Sequence, residues 1–274
     1  MRSIIALLTD FGSKGTHYIA SMKAVILKVN PKAVIVDISH DISSYSIFEA
    51  SFLIKSTYKV FPKNSVFIIV VDPGVGSSRE ILALKTRSEH FFVGPNNGII
   101  PNALNLKEIS ECYVVQNKKY FNLPISYTFH GRDVMAPVGA YISKKIPLKN
   151  FGPQFNLKNL IEYPIIYEFL AKEKTIRCTI QYIDSFGNGI TNILVENNVI
   201  QNTSLILDEF KNVNLQFKDK TYRCLLSTHY ADVPLGSTLI LKGSSDFLEI
   251  SKNQGNAAEE MDFKVGDIIT ITFH

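Results

Sequence analysis

The chain has 274 residues, of which 46% are hydrophobic and 20% are charged. This composition excludes a disordered chain, a collagen-like repeat and a coiled coil, and the length suffices for two domains or one large one. The net charge of +4 is spread along the sequence without blocks of like charge, so it indicates neither a nucleic-acid-binding nor a membrane-binding surface.

The three cysteines, Cys112, Cys178 and Cys224, lie far apart and show no CxxC spacing. They predict small buried residues in a reducing compartment rather than disulfides or a zinc site. The apolar run at residues 4–8 is too short for the core of a signal peptide, and no run of about 18 apolar residues follows. We therefore expect a cytoplasmic protein without a membrane span.

The N-terminal half alternates between strand and helix patterns. Three apolar runs of strand length lack alternation, as is typical of strands buried on both faces: residues 4–8, 33–36 and 66–71. After the first run, four apolar residues share one helix face: Ile19, Met22, Ile26 and Val29. Pro31 ends this helix, and a second helix is predicted to begin at Ser46, where Ser46 and Glu49 form a capping box. This order predicts an α/β domain with a largely parallel sheet over residues 1–165.

The C-terminal half has a different texture. Short strand-like runs recur between turn residues: residues 177–183, 190–196, 204–207, 213–217, 221–226, 237–241, 247–251 and 267–273. Such spacing predicts an antiparallel barrel or sandwich. Residues 150–174 show no sustained period and are predicted to connect the halves. We place the boundary at residue 165, followed by an all-β, barrel-like domain over residues 166–274.

Aspartates follow the three predicted strands of the first half: Asp10, Asp37 and Asp72. Loops beyond the carboxyl ends of parallel strands commonly bind ligands, although each aspartate alone could be a turn former or a helix cap. With His40 and Asp41 they could also hold a divalent metal, but their spacing matches no recognised metal motif.

Two loops of the first half carry candidate chemistry. Residues 71–79 set a proline and two glycines after a buried strand, and Asp72 and Arg79 could converge across this bend as an ion pair rather than lie in a plain surface turn. Further along, His130 precedes Gly131 at the entrance of a predicted helix with Asp133 as its cap. His130 is a candidate proton carrier or anion ligand, or else a structural histidine.

Two loops of the second half combine glycines with polar groups. Asp184, Phe186 and Asn188 offer a carboxylate, an aromatic face and an amide, which suit an ammonium group and a purine base, although a hairpin turn has the same pattern. Residues 243–250 could form a nest of backbone amides for a carboxylate.

At these residues the sequence resembles a known family, the S-adenosyl-L-methionine (SAM) hydroxide adenosyltransferases, which are related to fluorinase and chlorinase. The matching stretches run in family order over nearly the whole chain: residues 8–12, 36–42, 71–79, 94–98, 128–133, 136–137, 184–192 and 244–258. The resemblance implies an α/β domain followed by a β-barrel-like domain. It also implies a homotrimer whose active sites form where the N-terminal domain of one subunit meets the C-terminal domain of a neighbour.

The reaction that the resemblance implies is attack of water on C5′ of SAM, which yields adenosine and methionine. SAM is then the substrate, no metal or other cofactor is expected, and neither nucleic acid nor membrane is a partner. By the same resemblance, Asp72, Arg79 and His130 look like the triad that holds and activates the water, and Asp10 looks like the ligand of the ribose diol.

The resemblance implies further contacts with the substrate. Asp184 would bind the methionine ammonium group, and the other expected contacts are Phe129 and Gly131 in the first domain, Phe186 and Tyr230 beside the adenine, Asn188 on its edge, and Ser244 and Ser245 near the methionine carboxylate. The fluorinase has a serine aligned with Gly131 and a tyrosine aligned with Asp72, so this chain fits the hydrolase pattern. A halide-dependent SAM halogenase and a non-catalytic binder of adenosine or SAM are the alternatives.

Overall fold

The computed structural model describes residues 3–274 and divides the chain into two compact units, the first ending at Tyr163 and the second spanning Pro164–His274. The strands of the first unit are β1 (Ile4–Thr9), β2 (Val34–Ser39), β3 (Val66–Val70), β4 (Ile81–Thr86), β5 (Phe91–Pro95) and β6 (Ile109–Val114). Its helices are α1 (Thr16–Val29), α2 (Ile47–Thr57), α3 (Ile99–Ala103) and α4 (Ala136–Ser143), the last preceded by a π-helical turn at Gly131–Met135.

These strands form one sheet in the order β2-β1-β3-β5-β4-β6. In this order β2, β1, β3 and β5 run parallel, whereas β4 pairs antiparallel with both β5 and β6. The predicted α/β architecture with a largely parallel sheet is therefore confirmed.

The sheet is covered on both faces, which explains the unbroken apolar runs. Ala6 and Leu8 of β1 pack in one cluster with α2 and α3, and Ile5 and Leu7 pack in another with α1 and α4. Successive strand residues point to opposite faces, so a strand between two helical layers must be apolar at nearly every position. The loops at the carboxyl edge of the sheet thus rise from rigid strands.

The start of α2 corrects one prediction. The Ser46 hydroxyl accepts the Glu49 amide at 3.3 Å as expected, but the Glu49 carboxylate accepts the Ser43 amide at 2.9 Å instead of that of Ser46. The reciprocal half of the predicted capping box is wrong because the Ser46 amide already donates to the Ser43 carbonyl at 2.9 Å.

The second unit is a closed barrel, which confirms the barrel-like all-β prediction. Its elements are β7 (Tyr167–Leu170), β8 (Thr175–Ile183), β9 (Gly189–Glu196), β10 (Val199–Ile200), β11 (Asn212–Phe217), β12 (Lys220–Ser227), β13 (Thr238–Lys242), β14 (Phe247–Lys252), α5 (Ala257–Met261) and β15 (Ile268–Phe273). Seven strands form the barrel in the order β9-β14-β13-β12-β11-β15-β8, and the pairing of β8 with β9 closes it. Only β12 and β13 pair parallel within it.

Two predictions about this unit are wrong. Residues 204–207 do not form the predicted strand. Ile206 makes only an isolated bridge with Val199, and the segment leads into a 3-10 turn at Leu207–Glu209. Leu205 and Leu207 are buried in the barrel core, so their alternation reflects burial of a loop. The predicted connecting segment also contains a strand, β7, which pairs with β8.

Across residues 3–274 none of the helices combines the length and the apolar character needed to cross a membrane.

Candidate active site

The first unit has a cavity of about 290 Å³ at the carboxyl edge of its sheet. Five predicted site residues line it: Asp10, Asp72, Phe129, His130 and Gly131. Asp10 follows β1 directly and Asp72 lies two residues after β3, and these two strands are parallel neighbours. The strand order therefore brings together Asp10 and Asp72, which are 62 positions apart in the sequence.

Asp72 and Arg79 form the predicted ion pair, in which an Arg79 Nη2 proton is donated to Asp72 Oδ2. Their side chains are only 4% and 7% exposed, respectively. The other carboxylate oxygen accepts the Gly74 amide at 3.2 Å, so the glycine-containing turn serves to hold Asp72. Such a charge-assisted, buried pair gives the carboxylate a fixed orientation at the cavity.

Burial and charge set the ionisation of this cluster. Burial raises the pKa of Asp72 above its ordinary value, although Arg79 opposes the shift. Burial lowers the pKa of His130, and the positive charge of Arg79 lowers it further. These effects favour the neutral imidazole of His130, the form that can accept a proton, although the charges of Asp72 and Asp133 oppose them. Within residues 3–274, neither His130 Nδ1 nor Arg79 Nε has a hydrogen-bond partner, although both atoms are buried.

Asp10 presents a carboxylate at the same cavity. Its Oδ2 accepts the backbone amide of Tyr45 at 2.9 Å, and Tyr45 also lines the cavity. Burial raises the pKa of Asp10, and the Tyr45 amide acts in the opposite direction. Tyr45 and Tyr18 are cavity residues that the sequence reading missed, because neither follows a strand or a turn motif.

Asp37 does not join this cluster. It lies inside β2 rather than at its end, and its Oδ2 accepts a hydrogen bond of 2.6 Å from Lys23. Burial raises the pKa of Asp37, but the hydrogen bond from Lys23 and the nearby His40 side chain outweigh that effect and hold the pKa below its ordinary value. Asp37 does not line the cavity with Asp10 and Asp72, and residues 3–274 contain no group of three or more His, Cys, Asp or Glu side chains that could hold a metal ion.

The turn that carries His130 also differs from its prediction. Asp133 is fully buried inside the π-helical turn, where it accepts hydrogen bonds from Arg132, Asn122 and the Ser126 amide. Its prediction as a helix cap is wrong because its side chain ties the preceding loop to the turn. Gly131 packs on the sheet so closely that a Cβ there would lie 2.8 Å from Val70 Cγ1.

An aromatic cluster forms one wall of the first cavity. The ring of Phe129 meets those of Phe11 and Tyr18 edge-on, with centroids 5.8 and 5.1 Å apart. All three residues line the cavity. The wall next to the carboxylates is therefore apolar and rigid.

The second unit has its own cavity of about 860 Å³. Five predicted residues line it: Asp184, Phe186, Asn188, Tyr230 and Ser244. Ser245 is half-buried in the adjacent turn and is not among the lining residues. Most of the predicted residues of each unit thus line one cavity of that unit, and the exceptions are Arg79, which reaches the first cavity through its ion pair with Asp72, and Ser245.

The loop that begins at Asp184 is organised by its carboxylate. Asp184 Oδ1 accepts the amides of Phe186 and Asn188, and Oδ2 accepts the Asn188 side-chain amide, each at 2.9 Å. Phe186 is 75% exposed, so its ring face is free for contact. Gly187 has a φ of +83°, and a Cβ there would collide with Asn256, the residue that caps α5.

Glu249 is a cavity residue that the sequence reading missed. Leu248 and Ile250 on either side of it point into the barrel core, so Glu249 faces outward beneath Tyr230, whose hydroxyl donates to it. Burial raises the pKa of Glu249, and the charge of Asp184 raises it further. The signal in the sequence was an acidic residue in the middle of an apolar strand.

The chain is similar to known proteins over both of its units. Residues 5–152 match the family model described as the SAM hydroxide adenosyltransferase N-terminal domain, and residues 178–270 match the corresponding C-terminal domain. The (R)-S-adenosyl-L-methionine hydrolase of Methanocaldococcus jannaschii is 33% identical over 274 residues, which cover 98% of this chain and 96% of that protein.

A crystal structure of an uncharacterized conserved protein from Thermotoga maritima has a TM-score of 0.87 to this chain at 32% identity, covering 98% of this chain and 99% of the other. A fluorinase from Actinoplanes sp. is 23% identical over 297 residues, with 98% of this chain and 97% of that protein covered. The fluorinase is thus the more distant relative.

Proposed function

The chain belongs to the SAM hydroxide adenosyltransferase family, and on that premise we propose that it hydrolyses SAM to adenosine and L-methionine. The observation that carries the proposal is the buried Asp72 carboxylate, paired with Arg79, at a cavity that it shares with Asp10 and His130.

The proposed reaction is an in-line displacement. The oxygen of a water molecule bonds to C5′ while the bond from C5′ to sulfur breaks, and its electron pair stays on sulfur. The sulfonium leaves as a neutral thioether, so no acid is needed for its departure. Fixing water and C5′ in line contributes roughly 7 to 11 kcal/mol by avoiding entropy loss.

The difficulty of the reaction is the weak nucleophile, since water is a far weaker acid than the side chains at this cavity and little hydroxide forms at neutral pH. Asp72 or neutral His130 accepts the proton that the water loses, and Arg79 stabilises the negative charge that develops on its oxygen. The raised pKa of Asp72 makes its carboxylate a stronger base, and the lowered pKa of His130 favours the neutral imidazole that can accept a proton. We propose that the reaction needs no metal or other cofactor, because these groups supply the activation, and a chelator should leave the rate unchanged.

The proposed substrate contacts are divided between the cavity of the first unit and the cavity of the second unit. We assign the ribose diol to Asp10, with Phe129 and Gly131 also in contact with the substrate. In the barrel unit, Asp184 binds the ammonium group, Phe186 and Tyr230 flank the adenine, Asn188 bonds its edge, and Ser244 and Ser245 lie near the carboxylate. The exposed ring of Phe186 and the two acidic groups of this cavity, Asp184 and Glu249, support the assignment.

We also propose that the active enzyme is a cytoplasmic homotrimer in which one subunit supplies Asp10 and its neighbours, and the adjacent subunit supplies Asp184 and its neighbours. Buried, unpaired cysteines suit a reducing compartment. Light scattering coupled to size exclusion measures the assembly, and a monomer with full activity would contradict it.

The printed name of the Methanocaldococcus relative specifies the (R) form of SAM, and we propose the same preference here. Inversion at sulfur exchanges the directions that the methyl group and the methionine chain take from the sulfonium centre, so a site that fixes the ribose should distinguish the two epimers. Assays with the separated (R) and (S) sulfonium epimers test this preference directly.

The central experiment is product analysis in oxygen-18 water. We expect equal amounts of adenosine and methionine, with the label at O5′ of adenosine and no effect of added chloride or fluoride. A halogenated adenosine that forms only with halide would establish a halogenase. Tight binding of SAM without turnover would establish a non-catalytic binder.

A further inference from the structure

The His40 side chain lies between two polar groups next to the loop that carries Asp10. Its Nδ1 is 2.9 Å from the Thr9 hydroxyl, and its Nε2 is 3.1 Å from Asp37 Oδ1. The other oxygen of Asp37 accepts a hydrogen bond of 2.6 Å from Lys23 of α1. A continuous polar chain thus runs from α1 through β2 to the end of β1.

The direction of the hydrogen bonds along this chain follows from the charges. The negative charge of Asp37, 3.1 Å from Nε2 of His40, favours the proton on that nitrogen although the contact lacks hydrogen-bond geometry, and this leaves Nδ1 as an acceptor. The hydroxyl of Thr9, which is fully buried, then donates to Nδ1. Its lone pairs remain available for the Phe11 amide, 3.4 Å away.

Backbone contacts hold the same loop from the same segment. The Gly12 amide donates to the His40 carbonyl at 2.7 Å, and Gly12 has a φ of +66° that favours glycine. The Tyr45 amide donates to Asp10 at 2.9 Å, and Tyr45 itself has a φ of +69°. A tyrosine in this left-handed region is strained, and its conformation directs the amide to the Asp10 carboxylate.

We propose that His40 is a positioning residue that orients Asp10 for the ribose diol. Both oxygens of Asp10 must meet two hydroxyl groups at once, which requires the carboxylate to be fixed within about 10 to 20°. The His40 side chain supplies its part of this constraint through Thr9, whereas the Gly12 contact is made by the His40 backbone and persists in any His40 variant. The inference rests on the proposed role of Asp10 in binding ribose.

The test measures how well the protein distinguishes adenosine from 2′-deoxyadenosine, which lacks one hydroxyl of the diol. Calorimetric titration gives both Kd values, and their ratio reports the contact with the diol. We expect the wild-type protein to prefer adenosine, and we expect His40→Ala to reduce that preference about tenfold. His40→Asn should retain most of it, since its Oδ1 can accept the Thr9 hydroxyl near the position of Nδ1.

Two variants separate this inference from the role of Asp10. Asp10→Asn should reduce the preference at least as much as His40→Ala, and an unchanged preference would refute the ribose contact and the inference with it. Thr9→Val keeps the shape of the buried side chain and should match His40→Ala, with thermal unfolding as the check on folding. If Asp10→Asn lowers the preference but Thr9→Val and His40→Ala do not, His40 has no positioning role.

Discussion

The Tyr230 hydroxyl donates a hydrogen bond of 2.7 Å to Oε1 of Glu249, whose residue is only 8% exposed. The Asn188 side-chain amide lies 3.5 Å from the same hydroxyl and 2.9 Å from Asp184. Two carboxyl groups, one phenol and one amide therefore form a single polar row at the barrel cavity. The phenol is held as a donor, and burial raises the pKa of Tyr230 to about 12.

Glu249→Gln should weaken SAM binding more than adenosine binding. SAM carries a positive charge and adenosine carries none, so the loss of one carboxylate at the cavity affects only SAM electrostatically. We expect the KM for SAM to rise about five- to tenfold and the inhibition constant of adenosine to change less than about twofold. Steady-state assays measure both constants. Glu209→Gln, on the exposed surface of the same unit, is the matched control, and equal losses for the two ligands would contradict the electrostatic role.

The acid side of the pH–rate profile should report His130. Its pKa lies below the ordinary value of 6.5, so the imidazole stays neutral down to a lower pH than a free histidine does. If neutral imidazole is required, kcat/KM falls as the pH drops through this lowered pKa. His130→Gln should change the position and slope of that fall, whereas His274→Gln at the C-terminus should not. An acid limb identical in His130→Gln and the wild type would exclude His130 from the proton chemistry.

Asp72→Asn and His130→Gln should lower kcat far more than they weaken substrate binding. Both groups act on the attacking water, which acquires charge only in the transition state, so we expect kcat to fall about 100- to 10,000-fold. Binding of SAM should change less than about fivefold, as measured by calorimetry under conditions in which turnover is negligible. Comparable losses in kcat and in affinity would instead place both residues in ground-state binding.

Gly131→Ala should destabilise the first unit, because its new methyl group would lie 2.8 Å from Val70 Cγ1. Overpacking of this kind costs about 1 to 3 kcal/mol. Adding Val70→Ala removes the clash. The double variant should therefore lose less unfolding free energy than the sum of the losses in the two single variants. Chemical denaturation of the four proteins measures the coupling, and strict additivity would show that Gly131 is not constrained by Val70.

The sequence predicted the parts of the fold that depend on local patterns. The stripe of Ile19, Met22 and Ile26 is the buried face of α1, and the apolar runs of the first half form the parallel strands β1, β2 and β3. Strands β4 and β6, which form the antiparallel end of the sheet, were not predicted as such. Their pairing with β5 and with each other is a tertiary choice that no local period specifies.

The candidate site divides in the same way. Asp10 and Asp72 could be foreseen at one edge because parallel strands end together, whereas the identical argument failed for Asp37, which bonds Lys23 within the strand. Glu249 could not be foreseen as a partner of Tyr230, because their contact depends on how the connection between β12 and β13 lies against β14. Side-chain contacts between elements that are distant in the sequence, such as Asp37 with Lys23 and Glu249 with Tyr230, are thus not specified by local sequence patterns.

Gly187 limits how the barrel cavity can be redesigned. Its position against the Asn256 cap of α5 means that the loop bearing Phe186 and Asn188 rests on a helix of only five residues. Loop and helix must therefore diversify as one unit during evolution, since a side chain at residue 187 would need both a new backbone conformation and a new cap. With Phe186 placed beside the adenine as proposed, variants intended to change the base specificity should alter Phe186 and keep both Gly187 and Asn256.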